Sequence, residues 1–186
     1  MKVFIKNMVC GRCITAVQRI FADAGIQLLS ADLGELETVR EVTGAERMMV
    51  EAALNANGFE LLEDIARQEI ERVKTFIILT VDSLDISEDF LLSKSLATHL
   101  NKDYSSISKN FSQLETTTLE QYFILQKIEK VKELLSYGED SLTEIAGKLG
   151  YRSVQHLSAQ FKTVTGFTPS DFRKIKAQKR FPLDQV

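Results

Sequence analysis

The stretch from Ser141 to Arg173, SLTEIAGKLGYRSVQHLSAQFKTVTGFTPSDFR, limits what this chain can fold into more than any other. Leu142, Ile145, Ala146 and Leu149 recur at i, i+3, i+4 and i+7, which predicts a short helix with one apolar face. Ser141 and Glu144 make an S-x-x-E capping box at its start. Gly150 stands where that helix must stop, and glycine suits the left-handed residue just past a helix end. Ser153 is placed to cap a second helix whose Val154, Leu157, Phe161 and Val164 again line one side. Gly166 ends it, and Thr168-Pro169 opens a third, with proline at the first helical position. Two short helices and a Gly turn predict a helix-turn-helix.

A weaker copy of the same pattern runs from Phe90 to Tyr122. Leu96, Ala97 and Leu100 echo Ile145, Ala146 and Leu149, and Asp103 is placed to cap a helix with Ile107 and Phe111 inside. Thr116 stands where the other copy has Gly166, which predicts a distorted helix end. Thr118 caps a long helix from Leu119 to about Tyr137, with Tyr122, Ile128, Val131 and Leu135 near one face. That helix spans roughly 28 Å at about 1.5 Å per residue, close to the roughly 34 Å between successive major grooves on one face of B-DNA. One chain would thus set two reading helices in neighbouring grooves.

Ile145-Ala146, Leu149-Gly150-Tyr151, Ser153, Phe161-Lys162, Gly166-Phe167-Thr168-Pro169 and Phe172-Arg173 together resemble the C-terminal signature of the arabinose-regulator (AraC) family. That family's DNA domain carries two such units joined by one long helix, and the resemblance runs from about Gln68 to Lys174. It implies a sequence-specific DNA-binding transcription regulator, not an enzyme, with double-stranded DNA and RNA polymerase as partners and a monomer or homodimer as the acting species. Matching positions to the family motif puts Ser105, Ser108 and Lys109 of the first unit, and Val154, Gln155 and Ser158 of the second, toward bases. Gln pairs with adenine N6 and N7, Lys donates to guanine O6 and N7, and Val touches a thymine methyl. Lys102, Arg152 and Lys162 are assigned to phosphates. The competing reading of each is a solvated helix face, and of the whole stretch a small helical core with no nucleic-acid role. His99 and His156 are single histidines on polar or mixed faces and are not read as ligands.

Charge distribution fits two modules. The net charge of −3 is no nucleic-acid signature. Up to Ala66, however, 6 Lys and Arg face 10 Asp and Glu, whereas from Lys94 onward 14 face 10. The longest apolar run, Phe76 to Leu79, is too short to span a bilayer. No basic head precedes a long apolar stretch, so no secretory signal is expected, and two cysteines are too few for a disulfide scaffold. The expected location is cytoplasmic.

In the N-terminal module, Lys2 to Asn7 alternates and reads as a strand with Val3 and Ile5 on one side. Cys13, Val17, Ile20, Phe21 and Ala24 fall at helical spacing, closed by Gly25. Ile26 to Leu33 and Glu35 to Val42 read as strands, Met49, Ala52, Ala53 and Ala56 as a second helical stripe, and Phe59 to Leu62 as a last strand. The order β-α-β-β-α-β predicts a ferredoxin-like domain. Within it, Met8-Val9-Cys10-Gly11-Arg12-Cys13 resembles the M-x-C-x-x-C loop of heavy-metal-associated (copper-chaperone) domains, and Asn57-Gly58-Phe59 resembles that family's Gly-aromatic element. Asn7 stands where that family has Gly, and the middle strands depart from its pattern.

A helix N-terminus favours thiolate, and Cys10 and Cys13 would grip one thiophilic ion, Cu(I), Zn(II) or Hg(II). Zinc would need a third ligand or a second subunit. A reversible disulfide and an inherited, functionless pair are the rival readings. A thioredoxin-like enzyme would carry a cis-proline beside its dithiol, whereas the prolines here, Pro169 and Pro182, lie in the other module.

The expected architecture is an α+β ferredoxin-like domain over residues 1–64 and an all-α double helix-turn-helix domain over 65–176. A flexible tail, with Lys179, Arg180 and Pro182, covers 177–186 and is expected to add nonspecific phosphate attraction. A helix from Asp64 to about Leu84, with Ile70, Val73, Ile77 and Val81 as core of the helical domain, joins the modules without a Gly/Ser/Pro linker. The predicted function is a transcription regulator responding to a metal or redox signal through Cys10 and Cys13. The alternative is a metal carrier or buffer whose helical module docks to protein.

Overall fold

Alternating apolar residues make β1 (Lys2–Lys6) the central paired strand of the N-terminal unit, with Val3 and Ile5 buried. The computed structural model describes residues 1–178, with side chains through Lys174. After β1 come α1 (Gly11–Asp23), β2 (Leu28–Asp32), β3 (Glu35–Thr38), α2 (Gly44–Ala56) and β4 (Glu60–Leu62). This is the β-α-β-β-α-β order the sequence predicts. The four strands form one antiparallel sheet in the order β2-β3-β1-β4, with Val3 opposite Leu36 and Phe4 opposite Leu62. Its helix-covered face holds Ile5, Val17, Phe21, Leu36, Val50 and Leu54. A register shift between Leu28 and Ser30 interrupts the outer β2–β3 pairing.

Two expectations change here. The strand expected over Glu35 to Val42 stops at Thr38, because the Thr38 hydroxyl turns inward and bonds Arg40 O at 2.7 Å and Met1 O at 3.2 Å, bending the chain away. The inward face of α2 is Val50 and Leu54; Met49, Ala52 and Ala56 of the expected stripe face solvent. Alanine and Met satisfy helical spacing on either side, whereas the larger branched side chains gain most from burial. The start of α2 is held by Thr43 and Glu46, a complete capping box, with Arg40 forking onto Glu46 at 2.9 and 2.6 Å. Those bonds, the Arg40 pair foremost, pull the Glu46 pKa down to about 2.

Helix α3 (Ile65–Asp82) buries the Ile70, Val73, Ile77, Val81 stripe as its spacing predicts. The two compact units nevertheless divide at Phe76/Ile77, inside α3, and not at the 64/65 boundary read from sequence. Gln68 Nε2 donates to Leu62 O at 3.0 Å, and Thr75 Oγ1 donates to Leu33 O at 3.3 Å, so the front of α3 is built into the N-terminal unit. Ile70 and Val73 therefore belong to that unit, not to the helical core.

The second unit contains the end of α3, α4 (Leu92–Leu100), α5 (Tyr104–Leu114), α6 (Leu119–Tyr137), α7 (Leu142–Lys148), α8 (Val154–Thr165) and α9 (Pro169–Gln178). Its main core joins Val81, Ile86, Ile128, Val131, Leu135, Ile145, Leu149, Leu157 and Phe161. Among the described residues no helix is long and apolar enough to cross a membrane. The tail expected at 177–186 begins inside α9, and its Lys179, Arg180 and Pro182 lie outside the described residues.

Candidate nucleic-acid interface

The second unit repeats one small design. In each copy a short helix ends in a left-handed residue, the chain turns, and an oxygen-bearing side chain caps the next helix. In the C-terminal copy the Ser141–Glu144 capping box starts α7, Gly150 has φ 64°, and Ser153 Oγ accepts from His156 N at 3.1 Å to start α8. In the other copy Asn101 has φ 51° after α4, and Asp103 accepts from Ser106 N at 3.2 Å to start α5. Ile107 and Phe111 anchor α5, and Leu157 and Phe161 anchor α8, all fully buried. With Asp103 matched to Ser153, the anchors match too, so α5 and α8 are equivalent helices.

The turns are not equivalent. A Cβ placed on Gly150 would stand 2.7 Å from Ile86 Cγ2, 2.8 Å from Ser87 O and 2.9 Å from Ile86 O. The segment before α4 runs against this turn, with Ile86 N donating to Lys148 O at 3.0 Å. Asparagine at 101 tolerates a left-handed backbone. The distorted end expected near Thr116 is real in this sense: α5 stops at Leu114 and Glu115 is extended, with no left-handed cap, whereas α8 closes on Gly166 at φ 81°.

The predicted contact residues sort by exposure. Lys102, Ser105, Lys109, Arg152, Gln155 and Lys162 are exposed, and Ser108 and Ser158 are half-buried. Ser105 Oγ donates to Asp103, so its hydroxyl is engaged within the cap. Val154 is half-buried and packs against the main core, which makes it a weaker candidate for a thymine methyl than its spacing suggests. The first two turns of α5 and α8 thus present Ser105 and Lys109 in one copy and Gln155 in the other, with Ser108 and Ser158 partly covered beside them.

A further group went unread in the sequence. Lys127 of α6 is buried, its Nζ 3.7 Å from the centre of the Tyr151 ring and 5.5 Å from that of Phe123. Tyr151 OH donates to Gln160 Oε1 at 2.8 Å, and its ring meets His156 edge-on at 5.4 Å. The Tyr151 contact ties α6 to the turn that leads into α8, whereas Phe123 lies one turn earlier on α6 itself. The available signal was position: Lys127 stands four residues before Val131, on the inward face of α6.

Burial alone pushes the Lys127 pKa down to about 8. Between about pH 8 and its ordinary 10.5 the unfolded chain binds the proton that the folded one sheds, so stability should rise with pH in that window. Lys127→Met is expected to stabilise the protein by about 1–2 kcal/mol at neutral pH, because the desolvation that lowers the Lys127 pKa outweighs its two ring contacts. It should also flatten that pH dependence. Urea midpoints at about pH 7 and about pH 9.5 for both proteins check this.

In the N-terminal unit the Cys10 and Cys13 sulfurs lie 3.6 Å apart at the start of α1, Cys10 exposed and Cys13 half-buried. The backbone N–H of Cys13, then its side chain, lower the Cys10 thiol pKa. Asn7 takes up φ 72° and donates from Nδ2 to Gly58 O at 2.9 Å, so asparagine fills the left-handed place without glycine. Among the described residues, no three His, Cys, Asp or Glu come together as a metal-binding group.

The repeated capped helices, each packed against α6, define a double helix-turn-helix unit. Residues 96–175 match the family described as "Helix-turn-helix domain". An uncharacterized HTH-type transcriptional regulator of Bacillus subtilis, YisR, is 33% identical over 85 residues, which cover 46% of this chain and 29% of that protein. The melibiose operon regulatory protein of Escherichia coli is 28% identical over 90 residues, 48% of this chain and 30% of the relative. The chain thus spans under a third of the length of either relative.

Among solved structures, an AraC-type regulator from Chromobacterium violaceum aligns with TM-score 0.52 at 18% identity, over 62% of this chain and 97% of that one. The DNA-binding domain of AdpA, solved in complex with a target DNA, aligns with TM-score 0.51 at 21% identity, over 60% of this chain and 96% of that one. These likenesses establish the fold of the helical unit. Both named relatives are described as regulators, one of transcription and one of the melibiose operon.

Proposed function

We propose that this chain is a sequence-specific DNA-binding transcription regulator, acting in the cytoplasm on duplex DNA and RNA polymerase. The observation that carries the reading is the repetition of one capped helix, α5 and α8, each anchored inward by two buried side chains and each exposing the outer side of its first turn, Ser105 and Ser106 in α5 and Gln155 and His156 in α8. One chain supplies both helices, so a monomer suffices. Gln155 reads a base edge, and Lys102, Arg152 and Lys162 hold phosphates. Selection of binding sites from random duplexes tests it. Gln155→Ala should relax preference at one base pair, at a cost of about 1–3 kcal/mol. Arg152→Ala should weaken all sites alike. Binding with no preference among duplexes would leave the carrier reading in its place.

The N-terminal unit is assigned to the ferredoxin-like, heavy-metal-associated plan, on its strand order and on the place of Cys10 and Cys13 after β1. The two thiols would hold a thiophilic ion, which contributes soft-sulfur coordination. With only two donors to offer, the site fits Cu(I) or Hg(II) better than Zn(II), which seeks four ligands. If ion loading alters DNA affinity, linkage requires DNA to alter ion affinity by the same factor. Cu(I) titration of the native protein and of Cys10→Ser, with and without operator DNA, checks this. The expected result is a shift in DNA affinity for the native protein only.

A further inference from the structure

The N-terminal unit contains a cavity of about 410 Å³, within the size range of small-molecule sites. It lies where the first residues of β1, the start of α2 and the end of β4 meet, whereas Cys10 and Cys13 follow the other end of β1. Its walls include Val3, Phe21, Val50 and Leu62, all buried core residues. Of the ionisable side chains that line it, Lys2 and Arg47 are cations and Glu63 is an acid. Arg47 is ion-paired with Glu63, whose side chain is 74% exposed.

An exposed carboxylate costs little to displace from such a pair. The guanidinium fork it vacates matches another carboxylate in both bonds. An apolar hollow with a fork of this kind at its edge selects a molecule with one anionic end and a hydrocarbon body.

We propose that this cavity binds a small amphipathic monocarboxylate, its hydrocarbon part against Val3, Phe21, Val50 and Leu62 and its carboxylate on Arg47 in place of Glu63. The site is separate from the dithiol and gives the unit a second input. Entry of the ligand bears on the start of α3: Gln68, which also lines the cavity, donates from Nε2 to Leu62 O at 3.0 Å and to Glu63 O at 3.3 Å. Glu63 itself stands at the strand-to-helix junction from which α3 grows, its main-chain O bonded to Gln68.

Calorimetric titration of the intact protein with sodium octanoate and with 1-octanol tests the assignment. Octanoate should bind one to one, and octanol at least about tenfold more weakly. Arg47→Gln, a change at a half-buried helix position that keeps the side chain's length and polarity, should weaken octanoate by about tenfold and leave octanol unaltered. Val50→Phe, which fills the hollow, should abolish binding of both. If that variant misfolds, Arg47→Gln alone decides. No octanoate binding up to about 10 mM, equal binding of acid and alcohol, or undiminished octanoate binding by Arg47→Gln would each overturn the proposal. None of these measurements involves DNA, so the result is independent of the regulator reading.

Discussion

Gly150→Ala is expected to destabilise the helical unit by about 2–5 kcal/mol, enough to leave a large fraction unfolded in a protein of ordinary stability. Two costs add. A side chain at φ 64° takes a backbone region that L-residues rarely adopt. Its Cβ would also lie within 2.9 Å of two main-chain oxygens, Ile86 O and Ser87 O, and of Ile86 Cγ2. Backbone cannot rotate out of the way as a flexible side-chain end can, so α7 or the Ile86 segment must shift. Asn101→Gly, at the corresponding turn, should change stability by less than about 1 kcal/mol. Urea unfolding followed by helical circular dichroism compares the two. A Gly150→Ala protein within about 1 kcal/mol of the native one would refute the close approach of the Ile86 segment.

DNA affinity should fall about 40-fold when salt rises from about 50 to about 200 mM. The three phosphate contacts proposed for Lys102, Arg152 and Lys162 would give a slope of about −2.7 in log K against log salt, at about 0.9 per contact. Replacing any one of the three by Ala should reduce the slope by about 0.9. Gln155→Ala should leave the slope unaltered while changing base preference. This contrast separates phosphate holding from base reading without a structure of the complex. A slope near zero in the native protein would exclude these three side chains as a phosphate-binding set.

The second unit was legible because each of its signals agreed with the next. Capping residues, apolar spacing and the Gly turn all point to the same helices, and α6 runs from Leu119 to Tyr137 as the sequence predicts. Legibility failed where one residue type serves two environments. The Ala and Met positions of α2 fit either side of a helix, and the stripe they form is on the solvent side. Lys127 fell from view because a lysine is normally read as surface, and only the facing Tyr151 and Phe123 rings explain its burial. Val154 satisfied the recognition-helix position and the core stripe at once, and packing took most of its side chain. The boundary at Phe76/Ile77 was hidden because α3 is continuous and its apolar stripe has no break at the division.

The register shift between Leu28 and Ser30 affects how the protein tolerates crowding. An open four-stranded sheet has two rims at which a neighbouring molecule could zip on. One rim is β4, only 3 residues long; the other is β2, where the irregular pairing kinks the strand and Asp32 adds charge at its end. Straightening that kink would turn the rim carrying exposed Leu29 into a flat template. Filament growth and precipitation should then appear at concentrations where the native chain stays dispersed.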